Sequence, residues 1–151
     1  MNDFNKGIAI DGSVFEANET PFSYGMACYP EKHEEAPNME SDIFYLKEKV
    51  KNGADYLVTQ MFFDNEKYYA FVDRCRAEGI TVPIIPGIKP IVFKNQLTVL
   101  PKIFRSDIPE PFATELRKCK TDDEAKAVGV EWCIQQCKDL IAHGVPSLHF
   151  Y

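Results

Sequence analysis

Apolar residues fall along the chain in short blocks that switch between two periods. Tyr24-Gly25-Met26-Ala27-Cys28 is a β-type run closed by Tyr29-Pro30, where proline removes a ladder donor and favours an extended residue before it. After a polar loop from Glu31 to Pro37, Ile43, Leu46 and Val50 recur at helical spacing, with Asn38 placed to cap the helix and Asn52-Gly53 to stop it. The unit then repeats. Tyr56 to Met61 predicts a second strand, followed by a helix from about Glu66 to Glu78 that ends at Gly79. Val82-Pro83-Ile84-Ile85-Pro86 predicts a third strand, and its unbroken apolar character predicts burial on both faces. Helices are expected over about 94–104, 111–118 and 122–143, the last with apolar positions at 128, 132, 134, 137, 141 and 142. Ser147 to Tyr151 completes the pattern as a fourth strand. Residues 1–23 sustain neither period and read as an N-terminal arm, which leaves 24–151 as the folded unit.

Strands alternating with helices define an α/β class, in which parallel βα repeats feed one sheet through right-handed crossovers. Four such strands make either a small doubly wound sheet or half of a (β/α)8 barrel, whose full form takes about 250 residues, and periodicity leaves both open. A buried parallel strand needs cover on both faces, so ending on an apolar strand favours a fragment. At 151 residues a single core is expected. The formal net charge of −6 argues against a nucleic-acid or anionic-membrane partner, since the densest basic stretch, Lys47/Lys49/Lys51, is a solvated face broken by Glu48. A content of 45% hydrophobic and 13% aromatic residues excludes general disorder. No window approaches the roughly 18 apolar residues of a membrane span, and the N-terminus lacks a signal-peptide layout, so a cytoplasmic protein is expected. Five cysteines with no CxxC read as reduced thiols, and the spacing of Cys133 and Cys137 supplies too few donors for a metal.

Ligands of α/β proteins gather at the C-terminal ends of the strands. The first strand runs out into Tyr29-Pro30-Glu31-Lys32-His33, an aromatic face, a carboxylate, a cation and an imidazole in one loop. The second ends in Thr59-Gln60 beside Met61-Phe62-Phe63-Asp64, an amide next to an apolar wall that suits a flat heterocycle. Asp42, Tyr45 and Lys49 share one face of the first predicted helix. There they suit the ribose, adenine and diphosphate of a nucleotide, although periodicity alone more often yields an ordinary helix-dipole carboxylate and a surface lysine. The residues by themselves reach no further than room for a nucleotide-sized ligand.

The string Cys28-Tyr29-Pro30-Glu31-Lys32-His33-Glu34-Glu35-Ala36-Pro37-Asn38, with Asp42, Leu46 to Val50, Gly53-Ala54-Asp55 and Thr59 to Asp64, closely resembles the methylenetetrahydrofolate reductase family. The resemblance continues through Asp73 to Arg76, Val82 to Pro90 and Gly144-Val145-Pro146 to His149-Phe150-Tyr151, covering about residues 24–151. It implies the second half of a TIM (β/α)8 barrel, strands five to eight, in a flavoprotein. There FAD takes hydride from NAD(P)H and passes it to 5,10-methylenetetrahydrofolate, giving 5-methyltetrahydrofolate for one-carbon and methionine metabolism. By matched position, Tyr29, His33, Ala36, Asp42, Tyr45 and Lys49 resemble FAD contacts. Gln60 and Gln96 resemble folate-side amides, with Gln96 placed in the loop after the third strand, and Leu100 resembles a bulky apolar neighbour of the substrate.

The departures imply as much. The family's proton-donating glutamate and the aspartate beside its flavin come from earlier strands and have no counterpart here, and the arginine-bearing segment after the His-Phe-Tyr strand is absent. Glu48 stands where some bacterial relatives carry a second basic residue. No catalytic residue is therefore assigned, and the isolated chain is expected to be inactive. Half a barrel would leave open sheet edges, which predicts a homo-oligomer or a partner half. The alternative reading is a non-catalytic structural or binding module that retains the family's sequence, and a Schiff-base enzyme built on Lys89 is a third.

Overall fold

The computed structural model describes residues 2–17 and 19–151; Met1 and Asn18 of the expected arm lie outside the described residues. The arm holds a one-turn helix, α1 (Asn2–Asn5), and an isolated antiparallel bridge between Ile8 and Val14. The repeats then follow in order: β1 (Gly25–Cys28), α2 (Met39–Lys51), β2 (Tyr56–Thr59), α3 (Asn65–Ala77), β3 (Ile84–Ile85), β4 (Gly87–Ile88), α4 (Gln96–Phe104), α5 (Glu110–Lys118), α6 (Asp122–Ala142) and β5 (His149–Phe150). Every strand pair is parallel, in the orders β1-β2-β3 and β4-β5. Local signals place α2 where its caps predict. The Asn38 side chain accepts the Ser41 N–H at 2.8 Å, and Gly53 takes the left-handed conformation, φ 102°, that ends the helix.

The third strand is broken in two. Pro86 has no N–H to give the ladder, so pairing to β2 stops at Ile85 and pairing to β5 begins at Gly87. Thr59 bridges the break, because its Oγ1 accepts the Gly87 N–H at 2.8 Å and its carbonyl accepts the Tyr151 hydroxyl at 2.8 Å. A β-carbon at Gly87 would sit 2.2 Å from that carbonyl oxygen, which only glycine avoids. The strands thus run side by side in chain order, without the reversal of a doubly wound sheet.

Across β1, β2 and β3 one face of the sheet is buried and the other is left partly open, whereas β4 is buried throughout. Register puts Met26, Leu57 and Ile84 in one row and Cys28 beside Thr59 in the next; Leu57, Ile84, Cys28 and Thr59 are buried beneath α2, α3 and the Leu140 turn of α6. The opposite row of Ala27, Val58 and Ile85, with Gly25 and Tyr56, stays partly open. The expectation of burial on both faces of the third strand is met at Gly87 and Ile88 and corrected at Ile85, which stays partly open, and β5 is exposed at the edge. Each fully buried Leu or Ile contributes about 1.5–3 kcal/mol. A second core lies beyond the strand ends, where Met61, Phe63, Ile91, Leu100, Phe112 and Leu116 pack with Trp132, whose ring stacks on Phe112 at 4.5 Å.

Helix α6 also buries a different stripe from the one its apolar residues predict. Ala125, Gly129, Gln136 and Leu140 face inward, while Ile134 and Ile141 are exposed. The reason is backbone proximity. A β-carbon at Gly129 would meet the Ile91 carbonyl oxygen at 1.8 Å, and the Gln136 amide donates to the Phe62 carbonyl at 2.9 Å. None of the described helices is long and apolar enough to cross a membrane.

Candidate functional site

The loop leaving β1 is shaped by Lys32, which holds φ 76°. Its ammonium reaches back to the carbonyls of His33 at 2.9 Å and Ala36 at 2.5 Å, folding the loop around one cation. Asp42, in the first turn of α2, accepts the His33 N–H at 2.9 Å and fastens the loop to the helix. The imidazole Nδ1 accepts the Glu35 N–H at 3.2 Å, so Nε2 carries the ring proton in the neutral tautomer and is the nitrogen left for a ligand. The Tyr29 ring meets the His33 ring edge-on at 4.6 Å. Lys49, two turns along α2, donates to the Ala27 carbonyl on the outer edge of β1 at 2.9 Å and lies 5.8 Å from the centre of the Tyr29 ring. Burial, with the charge of Asp42 second, pushes the Tyr29 phenol above its ordinary value, so it stays protonated at neutral pH.

Four of the six cofactor residues expected from sequence, Tyr29, His33, Asp42 and Lys49, therefore form one cluster. Ala36 joins it through its N–H to the His33 carbonyl, 3.1 Å, and Tyr45 stands on the same face of α2, exposed and edge-on to Phe44. Gln60 sits beside Tyr29, one step past the Cys28–Thr59 register pair, with its N–H on the Cys28 carbonyl at 2.8 Å. Its side-chain oxygen accepts the Met61 N–H at 3.0 Å, which leaves the amide donor and one lone pair of that oxygen. Gln96 is the first residue of α4 and not part of the preceding loop; its oxygen accepts the N–H groups of Val92 and Phe93 at 2.7 and 3.0 Å, again leaving the amide donor. Leu100 is buried in the second core with Met61, behind the mouth and not on its surface.

Sequence reasoning missed Tyr151 as a lid on Thr59 and missed the partners of Glu31. That carboxylate bonds the Lys67 ammonium and both its oxygens accept the Asp107 N–H at 3.2 Å; burial raises its pKa while Lys67 pulls it back. Partners 36 and 76 residues away leave no local pattern to read. Burial pushes the Cys75 and Cys133 thiols up to about 11, which keeps both protonated at neutral pH. No group of three or more His, Cys, Asp or Glu among the described residues is arranged to hold a metal. A cavity of about 440 Å³ between the start of α3 and α6, walled by Phe63 and Trp132, takes in none of these residues.

The chain is thus an α/β protein with parallel strands in chain order that gathers an aromatic ring, an imidazole, an ammonium and two amides near the strand ends, where such folds hold their ligands. The chain belongs to the methylenetetrahydrofolate reductase family, whose model matches residues 13–151. It is 42% identical over 132 residues to a probable methylenetetrahydrofolate reductase (NADPH) of Caenorhabditis elegans, covering 86% of this chain and 20% of the relative. A 5,10-methylenetetrahydrofolate reductase of Pectobacterium carotovorum is 38% identical over 131 residues, covering 86% of this chain and 44% of the relative. The chain thus spans less than half the length of these curated relatives, all of them oxidoreductases by name. Its fold is like that of a protein from Clostridium thermocellum that binds two copies of 5-methyl-5,6,7,8-tetrahydrofolic acid, with a TM-score of 0.57, 17% identity, and cover of 86% of this chain and 46% of that one.

Proposed function

We propose that the chain is the second half of a (β/α)8 catalytic barrel, strands five to eight, and that it carries most of the FAD cradle of a methylenetetrahydrofolate reductase. The observation that carries this reading is the Tyr29–His33–Asp42–Lys49 cluster set beside Gln60 on adjacent strand ends. The one-sided cover of the sheet supports the barrel, since an open inner face is what the other half would fill.

The donor set fits a flavin dinucleotide. Tyr29 presents a ring for stacking, Lys49 and the His33 Nε2–H present positive or donating groups for a diphosphate, and the second oxygen of Asp42 is left to accept from sugar hydroxyls. Tyr45, exposed along the same helix, suits the adenine, and Ala36 holds the loop closed through its carbonyl on the Lys32 ammonium. When bound, the flavin supplies the hydride carrier between NAD(P)H and 5,10-methylenetetrahydrofolate. Gln60 and Gln96 each keep an amide donor free of protein acceptors, which suits them to hold nicotinamide and folate in turn. No residue of the chain stands in for the proton donor, and general acid catalysis is worth about 10²–10⁴ in rate. The chain alone is therefore a cytoplasmic flavin-binding half without turnover. Incubation with FAD followed by desalting tests this: a retained flavin absorbance with no NAD(P)H-dependent reduction of the folate is expected. A colourless product would favour the non-catalytic module, and turnover at the rate of full-length relatives would refute the inactive-half reading.

A further inference from the structure

Three successive residues between α4 and α5 each hold a different part of the mouth. Arg105, in the left-handed conformation at φ 56°, places its Nε and Nη2 on one oxygen of Glu34 at 3.1 and 2.9 Å, in the loop after β1. Ser106, fully buried, donates its hydroxyl to the Met61 carbonyl at 2.8 Å, next to Gln60. Asp107 donates its N–H to the Glu31 carboxylate, and its own carboxylate accepts from the Lys67 ammonium at 2.5 Å. Lys67, in the first turns of α3, also bonds Glu31, so one ammonium bridges two carboxylates from segments 76 residues apart.

We propose that Arg105, Ser106 and Asp107, with Lys67, are positioning residues: a strap that sets the Tyr29–His33 loop against Gln60. Its functional consequence rests on the flavin reading above. Exposed ion pairs contribute little as a rule, but Glu31 is not exposed. Its side chain is only 13% accessible and lies between Tyr29 and His33, so its position fixes theirs. Without Lys67 that carboxylate keeps a single donor group, the Asp107 N–H, for a desolvated charge.

Hydrogen exchange of the whole chain with and without the substitution Lys67→Met, followed by mass spectrometry, tests the strap, and FAD affinity is measured on the same samples. The strap predicts about tenfold faster exchange in peptides covering 29–37 and 105–109, with those of β2 and α6 unchanged. It predicts FAD binding weakened about three- to tenfold. Lys67→Arg, whose guanidinium can serve both carboxylates, restores both readouts. Unchanged exchange in Lys67→Met, unchanged FAD affinity, or failure of Lys67→Arg to restore either would overturn the proposal. Faster exchange in a protein that takes up no flavin would leave the strap standing and remove the flavin reading alone.

Discussion

Thr59 shows how much one side chain decides. It is fully buried at the end of β2, and its hydroxyl is the acceptor that carries the sheet across the missing N–H of Pro86. Replacement by valine keeps the volume but leaves the Gly87 N–H buried without an acceptor, at a cost of about 1–3 kcal/mol. Thr59→Ser keeps the acceptor and should lie much closer to wild type. Urea denaturation of the two variants checks the difference; equal stabilities would mean that the bond contributes nothing. The glutamines teach a related point. Nothing in the sequence shows that the Gln60 oxygen takes one neighbouring N–H and the Gln96 oxygen two, and only coordinates reveal what each amide has left.

At the level of elements, the first two repeats were legible because their signals are local. Asn38, the Ile43/Leu46/Val50 stripe and Gly53 act within a few residues of one another, and α2 lies where they point. Legibility fails where long-range packing outranks periodicity. In α6 the exposed Ile134 and Ile141 look like core by hydrophobicity, while Gly129 and Gln136 are inside because Ile91 and Phe62 present backbone carbonyls there. The third strand reads as one apolar run until the missing N–H of Pro86 is counted. The candidate site follows the same division. The Tyr29 to Lys49 face was readable from one loop and one helix, whereas the strap was not, because Arg105 and Asp107 meet partners 71 and 76 residues away.

The whole molecule is one-sided. β1 and β5 end the two paired sets as edge strands, Gly25 and Ala27 are exposed, and Phe44, Tyr45, Phe150 and Tyr151 add exposed aromatic surface. Unpaired edges and an open apolar face favour association, so the chain should form a homo-oligomer or pair with a complementary half. Light scattering at micromolar concentration should return more than the monomer mass of 17.2 kDa, and a stable monomer would contradict this. The flavin reading makes its own demand on the assembled molecule: ligand and strand ends must meet. Titration of isotopically labelled chain with FAD, followed by amide NMR, measures that meeting directly. Shifts concentrated at His33, Ala36, Lys49 and Gln60, with the centre of α6 unmoved, are the expected result. Saturable shifts confined to the groove between α3 and α6, or none anywhere, would contradict the account.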